Sequence, residues 1–309
     1  MSPLDKPNVG STIRLRDGRA LGLMETGWRD GPAIFHFHGH GSSRLEVRLL
    51  DETAARLGVR LIGLDRPGIG CSDAKPDFRI LDWPDDVQEA ADQLGIERFA
   101  VEGLSAGGIY ALACAYKIPH RLTACGLISS TAPSYLIAKA GPRWMRITWW
   151  LGERFPWLFW PLIRSVSWAR GSTQASIEAW LLRISSWLGE PDQRVLAIHE
   201  IRADCAQALA EGFRQGRKAN LREALADFQP WGFKVERIPF KKIFMWHGEQ
   251  DRIMPATLAR LLAQALPQCI ATFYPNEGHI SVMANHAQDI LDTMRADDTR
   301  WGVAIPSAE

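Results

Sequence analysis

The chain has 309 residues, 46% apolar and 23% charged, with 36 basic and 35 acidic side chains and a formal net charge of +1. It is long enough to bury a large core, its balance is ordinary for a globular protein, and no global positive field points to nucleic acid. No run approaches the ~20 apolar residues of a membrane span, Met1 to Asn8 lacks a signal-like apolar core, and five scattered cysteines without C-x-x-C imply neither a zinc site nor a disulfide framework; a reducing, cytoplasmic setting is expected.

Thr12 to Arg16 and Ala20 to Thr26 read as short strands joined by a turn at Asp17-Gly18. Ala33 to Phe37 is a denser apolar run, a buried strand that opens into His36-Phe37-His38-Gly39-His40-Gly41. Ser43 to Leu57 has the pattern of an amphipathic helix, and Arg60 to Leu64 is the next strand, ending in Asp65-Arg66-Pro67-Gly68-Ile69-Gly70-Cys71-Ser72. Trp83 to Leu94 is helical, with Pro84 in its first turn and Asp85 and Asp86 at its N-terminal end. Arg98 to Leu104 is a strand, Ser105 to Lys117 a helix, and Thr123 to Ser129 another buried strand. This alternation predicts an α/β fold with a mostly parallel, doubly covered sheet.

The rhythm breaks near Pro133. Residues 134–236 show helical patterning without a clear strand and hold nine of the thirteen tryptophans. It resumes with a strand Lys242 to Trp246, a helix Ala256 to Leu266, a strand Ile270 to Tyr274 and a last helix from Ile280 to Arg295; Thr299 to Glu309 reads as a loose end. The expected organisation is a core of 1–133 and 237–309 with a helical, Trp-rich insertion at 134–236.

Gly103-Leu104-Ser105-Ala106-Gly107 places a serine between a strand and a helix, with glycine two residues to either side. A nucleophile on a strained strand-to-helix turn needs neighbours without bulk there, because the backbone passes close. A serine hydroxyl also needs a base, and the base an orienting acid. The order Ser, acid, His along the chain leads to Asp251, in the loop after the strand at Lys242 to Trp246, and to His279, framed by Gly278 after the last strand. Glu249 is the alternative acid, and His286, inside the last helix, suits a surface role. Ala106 N–H and His40 N–H are the expected donors to a developing oxyanion. The spacing His36-x-His38-x-His40 also allows a metal cluster, but Gly39 and Gly41 suit a tight loop, and no metal and no cofactor are expected.

Together His38-Gly39, the run Asp65 to Ser72, Gly103 to Gly108, His247 to Asp251 and Glu277-Gly278-His279 resemble the α/β-hydrolase superfamily, most closely its serine-nucleophile branch with a helical cap. The resemblance implies a Ser105–His279–Asp251 triad with His40 and Ala106 as oxyanion donors, and a mainly structural role for Asp65 to Ser72. It also implies a cap over the site that sets substrate choice.

The expected activity is hydrolysis of carboxylic esters with apolar acyl or ring groups. Lactonase, amidase, thioesterase, C–C bond hydrolase and acyltransferase share the triad, and a ligand-binding protein on the same scaffold is the alternative without turnover. Trp144, Trp149, Trp150, Trp157, Trp160 and Trp168 share one stretch with Lys139, Arg143, Arg146, Arg154, Arg164 and Arg170. Its aromatics pack the cap or line a wide apolar pocket, and transient contact with anionic lipid is a further expectation. The partner expected is a small apolar ester; oligomeric state is not legible.

Overall fold

The computed structural model describes residues 11–155, 158 and 173–296. Trp157, Trp160, Trp168, Arg164, Arg170 and both chain ends lie outside them.

The apolar runs Ala33–Phe37 (β3), Arg60–Leu64 (β4), Phe99–Leu104 (β5) and Leu122–Ile128 (β6) are almost wholly buried and form the centre of the sheet. Continuous apolarity is what a parallel strand covered on both faces requires. With Thr12–Arg14 (β1), Ala20–Gly27 (β2), Ile243–Gly248 (β7) and Ile270–Tyr274 (β8), the order across the sheet is β1-β2-β4-β3-β5-β6-β7-β8. β1–β2 and β2–β4 are antiparallel; all other pairs are parallel.

Successive side chains point to opposite faces, which splits the core in two. Phe35, Phe37, Val101 and Leu127 pack under Trp83–Gln93 (α2) and Gly107–Lys117 (α3). Ile34, Ala100, Leu104 and Ile128 pack with Asp51–Leu57 (α1) and the last helix on the other face.

The run from β3 heads through α1 to β4 on one side, whereas β5 heads through α3 to β6 on the other. The chain therefore splits between the neighbours β3 and β5. At such a point a crevice opens beyond the carboxyl ends of the strands, and there lie the loops carrying His40 and Ser105.

The single helix expected over Ser43 to Leu57 is corrected. Arg44–Leu50 is a 3-10 turn and only Asp51–Leu57 is α-helical. Arg44 N–H donates to Asp65 Oδ1 at 2.7 Å, and the Arg44 carbonyl lies against Gly63, where a Cβ would come within 2.4 Å of it. These contacts hold the turn to the sheet in its tighter form.

Between β6 and β7 run Ser134–Ala140 (α4), Arg143–Arg154 (α5), Gln174–Leu188 (α6), Glu190–Ala197 (α7), His199–Gly212 (α8) and Arg217–Phe228 (α9). This helical insertion has a small core of its own at Ile177, Leu181, Ala206 and Phe213. It is pressed onto the loop after β3: a Cβ at Gly212 would meet the Gly41 and Ser42 carbonyls at 2.3 and 2.4 Å. Ala256–Ala265 (α10) and Ser281–Met294 (α11) complete the core. His286 is non-helical inside α11; its ring stacks on Tyr274 at 3.7 Å and reaches Glu277 at 3.2 Å. Among the described residues no helix is long and apolar enough to cross a membrane.

Candidate active site

β5 ends at Leu104 and α3 begins at Gly107, so the expected helix start at Ser105 moves two residues on. Ser105 itself is left-handed, φ +54°. A non-glycine residue there is strained, and such strain concentrates at functional turns. The turn is held from both sides: Ser105 N–H donates to Ile128 O at 2.8 Å and Thr131 N–H to Ser105 O at 3.4 Å. A Cβ at Gly103 would sit 2.2 Å from the Gly107 carbonyl carbon, and one at Gly107 would sit 1.9 Å from Phe37 O. Both glycines are therefore steric necessities of this turn.

Asp251 and His279 arrive from the adjoining loops after β7 and β8. Asp251 Oδ2 lies 2.7 Å from His279 Nδ1, and Asp251 Oδ1 accepts the N–H groups of Ile253 and Met254, each at 2.8 Å. Burial opposes the charged form of His279, but the Asp251 carboxylate outweighs it, helped by Asp192 and Glu46, so its pKa stands above the ordinary histidine value. His247, Nε2 on Met254 O at 2.8 Å, is held below its ordinary value by burial despite Asp251 nearby. The alternative acid Glu249 is turned away and pairs with Arg260.

Ser105 and His279 line one cavity of about 270 Å³ rather than making a direct hydrogen bond. His40 lines it too, and its other walls are largely apolar, with Leu104, Trp180, Leu181, Ile184, Leu188 and Leu209. Most of these come from α6 and α8, so the insertion supplies much of the lining.

The loop after β3 is fixed by buried charge that the sequence pattern did not disclose. Glu46 accepts Gly39 N–H at 3.0 Å, and His36 bridges Glu46 at 2.9 Å and Glu102 at 3.2 Å with no exposure of its own. Burial works against a charged His36, yet the two carboxylates raise its pKa to about 9. Arg66 donates to the His38 carbonyl at 2.6 Å and to Glu223 of α9 at 2.7 Å, tying the loop to the insertion. Gly39 and Gly41 N–H both face carboxylates, whereas His40 N–H and Ala106 N–H have no protein acceptor among the described residues.

His36 and His38 are thus taken by Glu46, Glu102 and Arg66 rather than grouped for a metal. Asp65, Cys71 and Glu211 do converge among the described residues, but Arg44 bridges the two carboxylates at 2.6 and 2.8 Å. Of the aromatic stretch, Trp149 packs edge-on against Phe228, while Trp144, Ile147 and Trp150 stand exposed along α5 beside Arg143 and Arg146.

Residues 32–285 match the family described as alpha/beta hydrolase fold. The chain belongs to that family, and is a hydrolase by membership. It is 26% identical over 275 residues to the pimeloyl-[acyl-carrier protein] methyl ester esterase of Chromobacterium violaceum, spanning 84% of this chain and 92% of that one. Its fold is shared with an esterase from Exiguobacterium antarcticum (TM-score 0.69, 16% identity, 93% of this chain and 100% of the other). It is also shared with the enol-lactonase from Burkholderia xenovorans (TM-score 0.61, 20% identity, 93% and 100%).

Proposed function

We propose that this protein is a serine hydrolase cleaving carboxylic esters of apolar acyl or ring substrates through an acyl-enzyme. The observation that carries the reading is the left-handed Ser105 on the wall of a cavity it shares with His279, whose far nitrogen is held by Asp251. Ser105 Oγ attacks the acyl carbonyl as His279 takes its proton. Asp251 stabilises the imidazolium and fixes the ring so that Nε2 faces the cavity. His40 and Ala106 N–H, free of protein acceptors, receive the oxyanion charge. His279 then returns the proton to the leaving alcohol and activates the water that releases the acid.

In this reading residues 134–236 are the cap, and α6 and α8 hold the acyl group. A lactone, amide, thioester or activated C–C bond would enter the same first step; the apolar lining favours an apolar acyl chain or ring as the group bound. Hydrolysis of p-nitrophenyl esters of increasing chain length, with Ser105→Ala beside the wild type, tests it. Serine-dependent turnover peaking above acetate is expected; turnover equal in the variant removes the mechanism.

A further inference from the structure

His279 sits between β8 and α11, two residues before the helix begins. The first N–H groups of a helix have no acceptor within it and are commonly capped by a side chain just upstream. Here the capping position is Ile280, which cannot accept. The acceptor comes from the insertion instead. Asp192, in the first turn of α7, takes His279 N–H on Oδ2 at 2.9 Å, and Ile280 and Ser281 N–H on Oδ1 at 2.8 and 2.9 Å. Its side chain is fully buried. A buried carboxylate is costly unless its charge is met, and three N–H donors at the positive end of α11 meet it. Gly278 makes room: a Cβ there would lie 2.6 Å from Asp192 Oδ2.

This contact is more than a helix cap, because one of its donors is the backbone of His279 itself. The imidazole is thereby pinned twice, by Asp251 on its ring and by Asp192 on its main chain. We propose that Asp192 is a positioning residue for the reaction: through it the helical insertion fixes the backbone that aims the His279 ring from Asp251 toward Ser105. The proposal rests on His279 acting as the base. Misplacing a catalytic group by about 1 Å can cost about 10²-fold in rate, and without Asp192 the loop after Gly278 loses all three of these bonds.

Asp192 also acts on His279 through its charge. The ionisable groups facing the ring are Asp251 and His247 from the loop and strand of β7, Asp192 from α7 and Glu46 from the turn after β3. The three carboxylates favour the imidazolium that forms when Ser105 gives up its proton. Removing one of them lowers the pH at which the base becomes protonated.

The test compares wild type with Asp192→Asn, Asp192→Ala, Gly278→Ala and His279→Ala, using a p-nitrophenyl ester across pH and thermal unfolding as the check on folding. Asp192→Asn keeps one carbonyl acceptor for Ile280 and Ser281 but presents an amide to His279 N–H. The expected result is a fall in kcat of about 10- to 100-fold at unchanged KM, an acid limb moved to lower pH, and a larger fall in Asp192→Ala. Gly278→Ala, pushing on the same contact from the other side, lowers kcat alike, and the double variant with Asp192→Asn is less than additive. Full kcat and an unmoved acid limb in folded Asp192→Asn overturn the proposal, as does activity lost only in proportion to folded protein. If Asp192→Ala does not fold, Asp192→Asn and Gly278→Ala decide. Full activity in His279→Ala would instead remove the base assignment itself.

Discussion

Asp251 divides its carboxylate between two tasks: Oδ2 meets His279 Nδ1 at 2.7 Å, and Oδ1 is locked by the N–H groups of Ile253 and Met254 at 2.8 Å. The locked oxygen leaves the acid no freedom to rotate, so the bond to His279 has one geometry. Asp251→Asn keeps the shape but presents an amide N–H to a ring nitrogen that should itself donate. The wrong tautomer follows, and kcat falls by about 10³- to 10⁴-fold with little change in KM. Steady-state kinetics check this; a loss below tenfold would mean that Asp251 does not orient the base.

The same pairing sets a pH dependence. His279 is raised above its ordinary value near 6.5 by Asp251 against the opposing effect of burial. The base works only when neutral, so kcat/KM should fall as pH drops through that raised value, with its half-point above 6.5. A profile flat from pH 8 to 5 would contradict it.

Ser105 at φ +54° carries strain that glycine would not. Ser105→Gly and Ser105→Ala are both expected to be inactive, but the glycine variant should be the more stable by about 1 kcal/mol. Urea unfolding of the pair measures this directly. Equal stability would mean that a Cβ at this left-handed position costs no more than the conformational entropy glycine adds to the unfolded chain.

His36 makes stability depend on pH. Its folded pKa of about 9 lies above the ordinary 6.5, so its pairing with Glu46 and Glu102 stabilises fully below pH 6.5 and is lost as pH rises through 9. The contribution is on the order of 3 kcal/mol at most. Unfolding free energies should decline from pH 6.5 to 9, and His36→Gln should flatten that slope; an unchanged slope would place the titrating group elsewhere.

At about 270 Å³ the cavity is small beside ligand pockets of roughly 300–1,000 Å³. Ile184→Trp, on α6, should move the preferred ester toward shorter chains while leaving acetate turnover within about twofold, because bulk is added to the wall and not to the reacting groups. Loss of all chain lengths together would mean that Ile184 does not bound the acyl site.

The centre of the sheet was legible because buried parallel strands are continuous apolar runs, and β3 and β4 begin and end where those runs do; the half-exposed edge strand β8 also keeps its expected bounds. Ser105 was legible because its turn forces glycine on both sides. The meeting of Asp251 and His279 could be read because each lies in the loop that follows a strand of the sheet. Asp192 could not: in Gly189-Glu190-Pro191-Asp192 it reads as an ordinary acid in a first helical turn, and its partners lie 87 to 89 residues away. Glu46 and Glu102 were hidden for the same reason, since neither a charge in the turn after β3 nor one on the apolar strand β5 shows its partner in sequence. The break at Leu50 was hidden because the 3-10 turn and the helix share one apolar pattern, and only contacts with Asp65 and Gly63 divide them.

The central claim is that Ser105 is the nucleophile and His279 its base. The most direct measurement is intact-mass and peptide mass spectrometry after brief exposure to a fluorophosphonate, with Ser105→Ala and His279→Ala alongside. One adduct on Ser105, absent in the first variant and much slowed in the second, is the predicted result. Labelling at another residue, or at full rate without His279, would contradict it.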